Sequence, residues 1–291
     1  MFAMYERLIN KLNTPIFIAF FVSALALVYA AISPCVYQTM DDMEMRTLID
    51  GSIGGEQGIR SPFSMYMSIV YGYILNFFYD LEPNFFWYDI FSFFFIFLSL
   101  FIISIAVLQD CNKINTSLKT VYISIIFFLG SAAFQTPQFT KIASLLAISS
   151  VILFYMIVNE YFDGLYKNLL LAIACIVCII FSSFIRFNYC ILLITFTSLL
   201  LFFNWPFKKI VRNKNYIILL ISILLSVFLL HSFNVFLCKN NDEYRKFDRA
   251  NNARAALTDR SNMYDNLDTP WIDAEKSVRL WKISRKRIYT S

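Results

Sequence analysis

Charge is scarce in this chain: Asp, Glu, Lys and Arg together make up 15% of its 291 residues, whereas a soluble domain carries about a quarter. That excludes an ordinary water-soluble fold. Histidine occurs once, at His231, and the six cysteines are either scattered (Cys35, Cys111, Cys190, Cys238) or set inside one apolar run (Cys175, Cys178). Cys-Ile-Val-Cys has no second ligand pair to complete a zinc site, and the six thiols make no disulfide framework. Glycine is limited to seven residues, of which Gly51, Gly54, Gly55 and Gly58 fall in one loop. Without a Gly-Lys-Ser/Thr sequence or a preceding strand, they form a turn and not a phosphate-binding loop. The net charge of +5 is dispersed, with no basic block interleaved with aromatics, so no nucleic-acid partner is expected.

What is abundant is apolar surface, with 58% hydrophobic residues, 32 Phe and 17 Tyr. Continuous apolar runs cover residues 15–32, 84–108, 118–134, 142–158, 168–185, 189–204 and 216–237. They are long enough to cross about 30 Å of hydrocarbon as helix. They lack the alternation of a β-barrel strand. An eighth run, 62–79, is studded with Ser and Tyr. The expectation is an all-α, polytopic transmembrane helix bundle over residues 1–237, with a soluble tail over 238–291. The first run resembles a signal peptide, with Val28-Tyr29-Ala30 as a tolerable cleavage site. Its length favours an uncleaved first span.

Arg7 and Lys11 place the N-terminus in the cytoplasm, and Lys208, Lys209, Arg212 and Lys214 place the loop before the last span there too. The loop 34–61, with Asp41, Asp42, Glu44, Asp50 and Glu56 against Arg46 and Arg60, then faces outward. Six apolar runs separate these two loops, whereas a change of side needs an odd number of crossings. Residues 62–79, the most polar run, are therefore expected to be re-entrant or interfacial, which leaves seven spans and an outward C-terminal tail. Eight spans with both ends inside is the rival topology.

Asp41 and Asp42 are the leading candidates for chemistry. A carboxylate held where a membrane helix meets water can take a proton from an acceptor hydroxyl or hold a divalent cation beside a phosphate leaving group. The competing reading is a helix start, with Thr39 and Asp42 as a capping box. From Asp42 onward the pattern is amphipathic: Asp42, Arg46 and Asp50 share one stripe, Met45, Leu48 and Ile49 another. Arg186 is the one charge between two long apolar runs. A cation there is costly unless paired and so is a functional candidate, against a hairpin turn with a snorkelling side chain. Lys141 stands at the turn Thr136-Pro137-Gln138-Phe139-Thr140-Lys141, where a cation either meets a phosphate or anchors at the interface. In the tail, Tyr244, Phe247, Asn251, Arg254 and Thr258 recur at helical spacing. Arg186, Lys141, Arg46 and Arg254 form the candidate substrate-binding set.

Four elements carry a resemblance: the Asp41-Asp42 pair in the first outward loop, Arg60-Ser61-Pro62 before the next apolar run, the Gln138-Phe139-Thr140-Lys141 turn and the Ile185-Arg186-Phe187 turn. The tail segment Asn251-Asn252-Ala253-Arg254-Ala255-Ala256-Leu257-Thr258-Asp259 adds to them. Together they resemble the integral-membrane glycosyltransferases of the GT-C fold class and related multispanning proteins of bacterial surface-polysaccharide gene clusters. The resemblance implies a sugar donor linked to polyprenyl phosphate or diphosphate, an acceptor glycan or lipid, and transfer on the outer face of the cytoplasmic membrane, usually with inversion. It implies an acid of the first outward loop, Asp41 or Asp42, as base or as ligand of a divalent cation such as Mg or Mn. Two other classes compete. A flippase or transporter would carry ionisable groups near the midplane and internal repeats; the span interiors are almost free of such groups and no internal repeat is found, which disfavours it. A non-catalytic assembly partner would tolerate change at every acidic position.

Overall fold

The computed structural model describes residues 15–33, 40–52, 60–64, 66–111, 116–159, 165–201 and 214–260. Some side chains within its helices, among them those of Asp41 and Arg254, lie outside the described set. Among the described residues the helices are, in order, α1 Pro15–Ala31, α2 Met40–Asp50, α3 Ile69–Leu81, α4 Trp87–Cys111, α5 Thr116–Gln135, α6 Phe139–Val158, α7 Leu165–Leu201, α8 Lys214–Asn240 and α9 Asp242–Arg260. No strand occurs among the described residues. Among the described residues four helices are long and apolar enough to cross a membrane, over Trp87–Gln109, Phe139–Val158, Asn168–Leu199 and Tyr216–Asn240, while Pro15–Ala31 and Lys119–Gln135 are shorter apolar helices. By length and composition the chain is therefore a helical membrane protein. Its chain divides into two compact units, Met1–Asn234 and Val235–Ser291.

In lipid the hydrophobic effect does little to bring helices together, so close packing must do so, and small residues allow it. On α1 the buried positions are Ala19, Val22, Ser23, Ala26 and Ala30, a small-residue stripe at helical spacing. Gly130 of α5 meets this stripe: a Cβ there would lie 2.8 Å from Leu100 Cδ1 of α4 and 3.4 Å from Ala26 Cβ. Three helices thus converge at Gly130, where a side chain would require Leu100 to shift. The centre of the unit is α6, whose buried face runs from Phe139 through Leu146 and Phe154 to Val158 and packs most extensively on α7. Polar side chains stitch that pair. The Ser182 hydroxyl donates to the Ala143 carbonyl at 2.6 Å, and Ser150 donates to the Cys175 carbonyl at 3.0 Å.

The polar run expected to be re-entrant becomes a non-helical segment followed by α3, whose 13 residues extend about 20 Å, too short to span the hydrocarbon. Ser68 caps α3, its hydroxyl accepting from Val70 N–H at 3.1 Å. The preceding segment then crosses over α3 at Gly72, where an added Cβ would fall 1.9 Å from the Pro62 carbonyl oxygen. Both partners are backbone and neither can rotate away. Gly72→Ala is therefore expected to cost about 3 kcal/mol, the upper range for overpacking, seen as a lower thermal midpoint of the purified protein. An unchanged midpoint would show that the crossing is looser than this geometry.

Sequence run 168–185 and residues 189–201 of the next run fall within α7, which is interrupted at Arg186 by extended backbone (φ −159°, ψ 92°), so that two helices meet there. A break in the i to i−4 ladder leaves carbonyls without helical partners. That of Phe184 accepts from Ser68 N–H at 2.7 Å, which ties the start of α3 to the break. In the second unit, α9 is preceded by Asn241, whose side chain accepts from Tyr244 N–H at 2.9 Å. An Arg245–Asp242 pair holds the exposed Asp242 carboxyl below its usual pKa.

Candidate functional site

Three of the candidate residues from distant parts of the sequence meet at the N-terminus of α6. A helix start leaves N–H groups without partners. Gln138, in the capping position of α6, makes no side-chain cap bond. Asp42 fills the gap from α2: its Oδ1 accepts from Phe139 N–H at 2.9 Å, across 97 residues of sequence. The carboxylate is 1% exposed, and its negative charge suits the positive end of the helix dipole. Asp42 thus caps a helix other than its own. Thr39, its expected capping-box partner, lies outside the described residues.

One residue further along α6, the Thr140 hydroxyl accepts from Arg186 Nη1 at 3.2 Å. The guanidinium is enclosed by aromatic rings: its Cζ lies 4.7 Å from the ring centre of Tyr66, 4.8 Å from Phe139 and 4.6 Å from Tyr189. Tyr66 and Phe139 are themselves stacked, with centroids 5.5 Å apart. Stacking on ring faces stabilises a cation without neutralising it. Among the described residues, no carboxylate comes within 4 Å of Arg186. Tyr66 and Tyr189 are 42% and 36% exposed, so the cage opens on that side. Lys141, on the next position of α6, donates from Nζ to Thr136 Oγ1 at 2.8 Å and to the Thr136 carbonyl at 3.2 Å, within electrostatic reach of Asp42.

Arg46 belongs to a neighbouring cluster. It bridges to Asp89 in the first turn of α4 at 3.1 Å and to Asp50 at 3.8 Å, and lies over the Phe86 ring at 5.6 Å. The Tyr79 hydroxyl accepts from Tyr88 N–H at 3.2 Å. Burial pushes its pKa up; the hydrogen bond opposes this, and Asp50 and Asp89 add to the rise. Arg60 pairs with Asp80 at 2.9 Å. Arg254 is part of α9 in the other unit, and its side chain lies outside the described residues, as does that of Asp41.

Asp42, Lys141 and Arg186 therefore come together around one helix start, Arg46 is committed to Asp89 and Asp50, and the rings that enclose Arg186 were not anticipated. Phe139 and Tyr189 stood beside the singled-out cations in sequence. Tyr66 carried no signal, because the bend before α3 brings it in. At Asp42, Oδ1 is engaged by a backbone N–H; among the described residues no three acidic, histidine or cysteine side chains gather as ligands, and the side chain of Asp41, the other acid expected to hold a divalent cation, lies outside them. Set against known protein families, curated proteins and solved structures, the chain matches none.

Proposed function

We propose that this chain is a multi-pass protein of the bacterial cytoplasmic membrane, GT-C-like in fold, that transfers sugar from a polyprenyl phosphate or diphosphate donor to a glycan or lipid acceptor on the outer face. The observation that carries this reading is Arg186, held at a helix break by three rings with no carboxylate within 4 Å among the described residues. A guanidinium so placed has planar donors suited to phosphate. Lys141 adds a second cation beside it. Seven spans with one re-entrant segment accord with the short α3 and with the break that divides the α7 run. In this topology the N-terminus is cytoplasmic and the C-terminal tail is outside.

The acids divide their work. Asp42 holds the start of α6 and so positions Phe139, Thr140 and Lys141, while Asp41 serves as the base that takes the proton of the acceptor hydroxyl. The resident charges that balance the departing phosphate are Arg186 and Lys141. A glycan profile of a deletion strain tests this. Wild type is expected to restore the missing or shortened glycan; Asp41→Asn and Arg186→Leu, at equal membrane abundance, are not. Full rescue by both variants would overturn the transferase reading. The buried, backbone-bonded Asp42 also suits a second reading, a non-catalytic assembly partner, which predicts that rescue together with failure on deletion of the tail.

A further inference from the structure

Residues 214–234 of α8, which belong to the first unit, are fastened to it quite differently from the other long helices. Their contacts form a single narrow seam, Tyr216, Ile217, Leu219, Ile223, Val227 and Leu230, of which Ile223 and Val227 alone are buried. The opposite faces, with Ile221, Leu224, Leu225, Phe228 and Leu229, are exposed. By contrast, α6 buries most of its length. Two fastenings close the end of the seam, and both stand at the α7 break. His231 stacks on Phe187, the residue after Arg186, with ring centroids 3.7 Å apart. Asn234 Oδ1 accepts from the Ser68 hydroxyl and from Ile69 N–H, each at 2.9 Å. A single side-chain oxygen thus bonds the start of α3, which is itself tied to the break through Ser68 N–H and the Phe184 carbonyl.

We propose that the seam between α8 and the α7 break is a lateral passage through which the hydrocarbon tail of a lipid-linked phosphate reaches Arg186, with Asn234 as its bolt. This rests on the reading of Arg186 as a phosphate-binding group. A polyprenyl chain cannot leave the hydrocarbon without large cost, so its headgroup must approach the cage from within the bilayer. The thinly packed helix beside the cage offers that route. Separating α8 exposes apolar faces to lipid, where they are at home, and breaks few polar contacts. At the end of the seam beside the cage, the Asn234 hydrogen bonds and the His231–Phe187 stack then set the balance between closed and open.

Full-length protein in phosphatidylglycerol nanodiscs, spin-labelled at Leu192→Cys and Leu229→Cys with Cys35, Cys111 and Cys238 replaced by serine, reads this balance as an α7–α8 distance. Two distance populations are expected. Asn234→Leu should raise the longer one several-fold, Ser68→Ala should raise it less because the Ile69 bond remains, and added polyprenyl phosphate should shift it where neutral polyprenol does not. A single short distance, unchanged in both variants, would overturn the passage whether or not phosphate binds at Arg186. So would distances that neither lipid alters. Equal shifts with polyprenol and polyprenyl phosphate would support the passage and overturn the phosphate reading.

Discussion

Asp42→Ala is expected to destabilise the protein by about 3 kcal/mol, the combined scale of a lost helix cap and a lost charge-assisted hydrogen bond at a buried site. The substitution leaves Phe139 N–H without its acceptor and removes the negative charge that faces the α6 start and Lys141. Because Phe139 also forms one wall of the Arg186 cage, the loss should spread to that cage. Asp42→Asn keeps an oxygen that can accept from the same N–H, and should cost about 1 kcal/mol. The pair of variants separates positioning from proton abstraction. With a positioning residue, the amide retains most of the folded stability and of the glycan product, whereas alanine loses both. A base at this position predicts an asparagine variant that folds like wild type and makes no product. Thermal unfolding in detergent, read beside the glycan profile, distinguishes the two.

Arg186→Leu should leave the fold nearly intact while weakening polyprenyl phosphate binding about 10- to 100-fold, the scale of one charge-assisted contact. Leucine fills the space among Tyr66, Phe139 and Tyr189 and leaves only the Thr140 hydroxyl without its donor. Arg186→Lys keeps the charge but loses the flat group that lies against three rings, and about a tenfold loss is expected. A purely structural arginine would give the reverse pattern, with stability falling in both variants and binding following stability.

Helices were legible because uninterrupted apolar runs leave the chain no other way to satisfy its backbone in lipid. The polar run that ends in the short α3 stood out through the serines before the helix, Ser64 and Ser68, and the tyrosines within it, and the α7 break through the lone charge of Arg186. Less was visible where long-range geometry decides. An Asp42 at a helix start reads as a cap for its own helix; that its oxygen reaches Phe139, 97 residues away, depends on how α2 lies against the bundle. Arg46 looked free to bind substrate because Asp89 sits behind Trp87 and Tyr88, in a stretch that reads as interface aromatics. Asn234 carried no pattern at all. Its importance comes from the meeting of α8 with the start of α3.

The most direct measurement is equilibrium binding of polyprenyl phosphate and of neutral polyprenol to the full-length protein in nanodiscs, for wild type and Arg186→Leu. The account predicts that wild type favours the phosphate lipid at least tenfold, that added salt narrows the preference, and that Arg186→Leu abolishes it. Equal affinity for the two lipids in wild type, or a preference that survives Arg186→Leu, would contradict it.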